Sequence, residues 1–166
     1  MSYKSYIRLN ILVSLIFSAF SVQGENIELG LKQIQSIPLQ SFEQRLRVID
    51  SLETSGSIIS GVADTERCVV YFAMNKKRIA MECGENALAD NKFIQNVNNP
   101  ILVKEQMNLY DYLAKSYLDL SYNDKAISSA IKCLETAKLT KDKVYIASQS
   151  LMVGIVYYEC GDKNTR

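Results

Sequence analysis

The stretch Tyr112–Leu134, YLAKSYLDLSYNDKAISSAIKCL, decides the fold class, because it has the apolar spacing of two helices joined by a short polar turn. Within it, Tyr117 follows the small residue Ala114 by three positions, and the turn-compatible Ser121 follows Ala114 by seven. Small residues return twelve, sixteen and nineteen positions after Ala114, at Ala126, Ala130 and Cys133. No strand-like alternation of useful length competes with this helical period. We therefore predict an all-α fold.

The same register recurs on both sides of this stretch. Glu66–Leu88, ERCVVYFAMNKKRIAMECGENAL, aligns on Cys68, and Leu151–Arg166, LMVGIVYYECGDKNTR, aligns on Gly154. The first segment repeats every feature, at Cys68, Tyr71, Asn75, Ala80, Gly84 and Ala87, and the second repeats three, at Gly154, Tyr157 and Gly161. A glycine inside a helix costs about 1 kcal/mol relative to alanine, so it usually has a packing reason. We expect Gly154 to be a close-contact position between two helices.

This repeating pattern resembles the tetratricopeptide repeat, in which two antiparallel helices pack through small residues beside a large tyrosine. The resemblance implies helical hairpins stacked as a right-handed solenoid over residues 57–166, with units at about 57–92 and 104–140 and an incomplete third unit from 143. The aligned small residues are 46 and 40 positions apart, compared with about 34 in the usual repeat. In addition, the chain has no tryptophan, and Gly84 and Ala130 stand where a large aromatic residue is common. Longer helices or loops would absorb the additional residues.

The first 24 residues have the layout of a secretory signal peptide. Lys4 and Arg8 precede an apolar stretch from Leu9 to Val22, and Gly24 offers a small residue at the cleavage site. An uncleaved membrane anchor and a buried N-terminal helix are the alternatives. We predict cleavage after Gly24 and a location in the periplasm or on the extracytoplasmic face of the inner membrane.

Residues 25–56 form a predicted N-terminal helical segment that precedes the repeats. From Leu39 the apolar residues fall on one face of an amphipathic helix. Pro38 is expected in the first turn of that helix, and Gly56 is expected at its end.

A wider resemblance covers most of the mature chain. The helix end Asp50-Ser51-Leu52, Gly56 and the close of the first unit at Ala87-Leu88-Ala89 resemble the exported sensor region of certain bacterial regulators. In those proteins, tetratricopeptide repeats precede a membrane helix and then a histidine kinase or a DNA-binding output domain. The resemblance implies a non-catalytic interaction or sensing module that belongs to a membrane-bound signalling regulator. Two alternatives stay open: a self-contained periplasmic adaptor or scaffold, and an accessory subunit of an enzyme whose catalytic part lies on another chain.

Composition argues against catalysis and against nucleic-acid binding. Histidine is absent, which removes the catalytic triads and metal sites that need imidazole. With 19 Lys+Arg against 18 Asp+Glu, the net charge of +1 predicts no attraction to nucleic acid. No C-x-x-C pair is present, and the cysteines lie in apolar helical contexts, so we interpret them as small core residues. We predict no enzymatic activity, no catalytic residues, no cofactor and no metal.

Binding of a protein or peptide is the remaining function. In stacked helical pairs the first helix of each unit lines a groove, and the spacing predicts which residues would face it. These are Thr65, Val69 and Phe72, then Asn108, Asp111, Lys115 and Leu118, then Ser148, Leu151, Ile155 and Tyr158. We expect contact with a membrane only through the N-terminal segment or a span encoded downstream. The incomplete third unit has two explanations. The chain is a fragment of a longer array, which we favour, or its last helix is an exposed docking surface. In the second case, two copies of the chain could associate through that helix.

Overall fold

The structure, a computed structural model, describes residues 24–163, and this part of the chain folds into eight helices without a strand. The predicted all-α class is therefore confirmed. Helix α1 spans residues 24–35, and the others are α2 (Phe42–Thr54), α3 (Ser60–Ala73), α4 (Lys77–Ala89), α5 (Asn91–Ile94), α6 (Pro100–Asp119), α7 (Asn123–Leu139) and α8 (Lys143–Lys163). The predicted signal peptide lies outside the described residues, apart from Gly24. Of the helices described, none is both long enough and apolar enough to cross a membrane.

Helices that are neighbours in sequence pack on each other. The closest-packed pairs are α3 with α4 and α6 with α7, and α8 packs on α7. Helix α6 also contacts α3 and α4, so the two hairpins share one interface, while α2 packs on α3. One apolar core runs through all of them, from Ile34 in α1 to Val156 in α8, both of which are fully buried. The segment 25–56 therefore shares a core with the helices that follow it.

The turns inside the two hairpins are built alike. Asn75 (φ 59°) and Ser121 (φ 63°) both have left-handed backbone, as we expected of turn positions. In each turn, the amide of the residue that follows the left-handed position donates to a carbonyl oxygen in the last turn of the preceding helix. These hydrogen bonds run from Lys76 N to Tyr71 O at 2.9 Å and from Tyr122 N to Tyr117 O at 2.8 Å. This is the Schellman motif, which satisfies carbonyl groups that a helix end leaves unpaired. The repeated tyrosine therefore also supplies the acceptor that closes the turn.

The sequence also predicted local structure at Gly56, Pro38 and Gly161, and the structure confirms only the first of these predictions. Gly56 (φ 72°) lies just beyond α2, as predicted. Pro38 is not in the first turn of a helix, since residues 36–41 form a loop and α2 begins at Phe42. Gly161 is not a turn, because α8 continues through it to Lys163.

The predicted contact at Gly154 is wrong for the described residues. A Cβ atom added there would find no neighbouring atom within 4 Å, because that side of α8 faces open space. The close helix approach is made by Gly84 of α4 instead. A Cβ atom at Gly84 would lie 2.6 Å from Cδ2 of Leu113, which is fully buried in α6. Only glycine fits at this contact without displacement of the core.

The short helix α5 joins the two hairpins. Asp90 caps α5 by accepting from the amides of Lys92 and Phe93, and its other carboxylate oxygen accepts from Gly61 N at 2.9 Å. The ring of Phe93 is fully buried against Gly61, where a Cβ atom would lie 2.4 Å from Phe93 Cβ. From α6, the buried Gln106 donates to Phe93 O at 2.6 Å. Helices α3, α5 and α6 are thus held at one point.

The left-handed turn at Ser121 can be tested by substituting glycine there and at a helical position, because the two substitutions should change the free energy of unfolding in opposite directions. Ser121→Gly should raise the free energy of unfolding by about 0.5–1 kcal/mol, because glycine adopts positive φ without the cost that a Cβ atom brings. Ser128→Gly, at an exposed position inside α7, should lower it by about 0.5–1 kcal/mol because glycine disfavours helix. Urea unfolding followed by circular dichroism measures both. Equal effects of the two substitutions would contradict the assigned turn.

Candidate functional site

A continuous polar and aromatic surface begins where α3 meets α6. The ring of Phe72 contacts the ring of Tyr112 edge to face, with centroids 5.3 Å apart. Lys77 of α4 lies with its Nζ atom 3.3 Å from the Phe72 centroid and pairs with Asp119 at 3.1 Å. Cation–π contacts of this kind contribute about 0.5–1 kcal/mol at partly exposed sites. Phe72 was predicted from spacing, whereas Tyr112 lies one position outside the predicted set and was missed.

The surface continues along α6 to α8. Lys115 Nζ lies 5.3 Å from the Tyr112 ring centroid and donates to Asp111 Oδ2 at 2.5 Å. These two charged residues line an open cleft of about 250 Å³ against α8. The full lining of this α6–α8 cleft is Asp111, Lys115, Ser148, Gln149, Leu151, Met152 and Ile155. Five of these seven residues belong to the predicted groove, and the structure brings them together.

The other predicted groove residues lie elsewhere. Thr65 is fully buried, and its hydroxyl donates to Gly61 O at 2.7 Å, so it offers no accessible surface. Val69 and Leu118 are half-buried, as is Asn108, whose amide donates to Glu105 Oε1 at 3.4 Å. Tyr158 is 73% exposed on α8 but is not part of the cleft lining.

The α6–α8 cleft combines exposed apolar side chains with one pair of charged groups. Its α8 wall exposes large apolar side chains, since Leu151 is 67% and Ile155 is 47% exposed. Its α6 wall carries one ammonium group and one carboxylate that pair with each other while half-buried. An incoming carboxylate can compete for Lys115, and an incoming donor can compete for Asp111. Such a cleft suits a short peptide that combines an apolar side chain with one charge.

A larger opening of about 540 Å³ lies between α1, α5 and the start of α6. Its rim carries the side-chain amides of Asn91, Gln95, Asn96 and Asn99. The carboxamide oxygen of Asn99 is already used to cap α6, where it accepts from Ile101 N at 2.9 Å. The opening borders Gly24, where the described part of the chain begins.

A cluster of buried charges lies beneath this surface, and no sequence feature pointed to it. Arg45 of α2 and Glu66 of α3 pair at 3.3 Å, and both are less than a tenth exposed. Glu105 of α6 is 2% exposed, and its Oε2 atom has no hydrogen-bond partner. Burial, and the neighbouring Glu66 carboxylate after it, raise the pKa of Glu105 to about 8. Glu105 is therefore a neutral acid at pH 7.

Three of the described thiols, those of Cys68, Cys83 and Cys133, lie where burial disfavours the thiolate. Burial raises the pKa of Cys68 and of Cys133 to about 12 and that of Cys83 to about 11, so these side chains stay protonated at neutral pH. The Cys133 thiol donates to Met107 O at 3.2 Å. Cys68 and Cys133 are fully buried and act as packing residues, and Cys133 joins α7 to α6.

Comparisons with family models, with curated proteins and with solved structures give no match for this chain.

The buried acid predicts a pH-dependent stability with a definite sign. Between about pH 5 and 8 the unfolded chain has lost the Glu105 proton while the folded chain keeps it, so stability falls as pH rises through this window. The slope contributed by one proton is at most about 1.4 kcal/mol per pH unit. Glu105→Gln, which stays neutral, should flatten that slope, whereas Glu82→Gln, at an exposed position on α4, should leave it unchanged. Urea unfolding at several pH values measures the slopes. Parallel stability–pH curves for wild type and Glu105→Gln would contradict the assignment.

Proposed function

We propose that this chain is a non-catalytic protein-interaction module in which stacked, tetratricopeptide-like hairpins form a right-handed solenoid. The recurring Schellman turns at Asn75 and Ser121 and the close approach at Gly84 support the repeated-hairpin architecture. The single observation that carries the function is the α6–α8 cleft, which joins exposed apolar residues to the Lys115–Asp111 pair. Its occupant is a peptide segment of a protein partner.

We further propose that the chain works as the extracytoplasmic sensing region of a membrane-bound signalling regulator. The signal-peptide layout of residues 1–24 and the resemblance to exported bacterial sensor regions support this setting. Binding in the cleft would bias the relative positions of α6 and α8 and so transmit the event along the stacked helices. The chain could instead be a periplasmic adaptor or an accessory subunit of an enzyme, and the same cleft would bind the partner protein in either case.

Peptide selection tests the cleft directly. The purified protein should select, from a display library of short random peptides, sequences that combine an apolar residue with an acidic one. Lys115→Glu should shift the selected charge from acidic to basic. Leu151→Arg should lower the affinity for the selected peptides at least tenfold, equivalent to about 1.4 kcal/mol of binding free energy, because it removes an apolar residue from the wall of the cleft.

The matched control is Val144→Arg, a change of the same kind at a 77% exposed position of α8 that does not line the cleft. It should leave peptide affinity unchanged. Selected peptides whose affinity responds equally to both arginine variants, or to neither, would contradict a binding site in this cleft.

Export has a separate test. Residues 1–30 fused to a reporter enzyme that needs disulfides should give activity in bacterial cells, because such enzymes mature only in an oxidising compartment. Replacement of Ile11 and Leu12 by aspartate should abolish that activity. An inactive fusion would remove the proposed location without affecting the peptide test.

A further inference from the structure

Two of the four cysteines lie in one hairpin, at equal distances from its turn. Cys68 of α3 precedes the left-handed Asn75 by seven residues, and Cys83 of α4 follows the next residue, Lys76, by seven. Because both helices rise about 1.5 Å per residue, equal counts from the turn place the two cysteines at the same height in the hairpin. We propose that Cys68 and Cys83 form an intramolecular disulfide bond when the chain folds in an oxidising compartment.

The corresponding positions of the second hairpin both face the interior. The same register, 46 residues further on, places Ala114 in α6 and Ser129 in α7, and both are buried. In the first hairpin Cys68 is fully buried and Cys83 is half-buried. Cα atoms that face each other across two packed helices lie about 4–6 Å apart. Disulfides join Cα atoms about 4.4–6.8 Å apart, so the bond fits the usual spacing of packed helices.

The electrostatic surroundings of Cys83 place its thiol against the side of α3 that carries Cys68. Arg67 and Cys68 follow Asp64 by three and four residues, so the three side chains are neighbours on that helix. After burial, Asp64 raises the pKa of Cys83 and Arg67 lowers it. Cys83 in turn raises the pKa of Cys68, again after burial. Such effects require short distances, which agrees with the pairing that the hairpin geometry indicates.

The other two cysteines are not matched in this way. Cys133 of α7 precedes the left-handed Lys141 by eight residues, whereas Cys160 of α8 follows the next residue, Asp142, by eighteen. The heights of these two cysteines along their helices therefore differ by about 15 Å. The Cys133 thiol instead donates to Met107 O of α6. Of the four cysteines, all of which lie in the described part of the chain, those of the first hairpin are the matched pair.

The bond forms by thiol–disulfide exchange with a small disulfide such as oxidised glutathione. Both thiols are free in the structure. One protein thiolate attacks the oxidant to give a mixed disulfide, and the second protein thiolate then displaces glutathione. Two protein S–H bonds are lost and one S–S bond is formed, while the two electrons and two protons convert the oxidant into two molecules of glutathione. Burial raises the pKa of both thiols in the folded chain, so exchange is fastest before α3 and α4 close.

The bond would hold the segment that begins the polar and aromatic surface. Phe72 and Lys77 both lie in the loop that is closed between Cys68 and Cys83. In cells, formation of the bond rests on the proposed export, because disulfides persist in oxidising compartments and are rare in the cytosol. The pairing of the two cysteines depends on the hairpin alone and is tested without export.

Peptide mapping of the wild-type protein tests the pairing without any substitution. The reduced, unfolded protein is diluted into a buffer of reduced and oxidised glutathione, the remaining thiols are blocked with a maleimide, and the protein is digested with trypsin. Each of the four cysteines lies in a different tryptic peptide. The expected product is a disulfide between peptides 68–76 and 79–92, whereas the peptides that contain Cys133 and Cys160 should carry the maleimide.

Thiol counts in two matched variants give an independent readout. A maleimide mass tag added in urea should find two free thiols in the refolded wild-type protein, three in Cys83→Ser and one in Cys160→Ser, because only Cys83→Ser removes a partner of the bond. Four free thiols in the refolded wild-type protein would overturn the proposal. So would a Cys68 peptide that is joined to the Cys133 or Cys160 peptide as often as to the Cys83 peptide. Correct pairing in glutathione buffer together with an inactive export fusion would refute the proposed location alone.

Discussion

The packing of α4 against α6 at Gly84 is the contact on which the rest of the structure depends. A Cβ atom at this position would collide with the buried side chain of Leu113, so the distance between the two helices is set by the absence of a side chain. The two hairpins can share one apolar core only at that distance. The junction at Phe93, with Gly61 on one side and Gln106 on the other, is a second point at which helices of the two hairpins are held together.

The candidate site follows from this arrangement. When α3, α6 and α8 are placed next to one another, side chains distant in sequence meet in a row, from Phe72 through Tyr112 and Lys115 to Leu151. None of these residues has chemistry that is distinctive alone. In the proposed binding role, the apolar wall would contact the ligand, and the ion pair beside it, which is only half-buried, could exchange its partner for a charged group of that ligand.

Sequence reasoning was most successful where short-range rules decide the outcome. The helical class, the turns at Asn75 and Ser121 and the helix end at Gly56 depend on spacing and backbone preference within a few residues. It failed where the outcome depends on which helix lies opposite. Gly154 and Gly84 are both glycines inside helices, yet only Gly84 meets a neighbour. The buried acid Glu105 was missed for the same reason, since α6 packs on α3 there and the neighbouring Glu66 carboxylate belongs to α3.

The two hairpins have a consequence for the order in which the chain acquires structure. Each is closed by a three-residue turn, and α3 with α4 occupies only residues 60–89 while α6 with α7 occupies residues 100–139. Contacts between segments so near in sequence form with little loop-closure entropy. During synthesis, the first hairpin can therefore close before the ribosome has made the second. Each finished pair then offers the next one a surface on which to assemble.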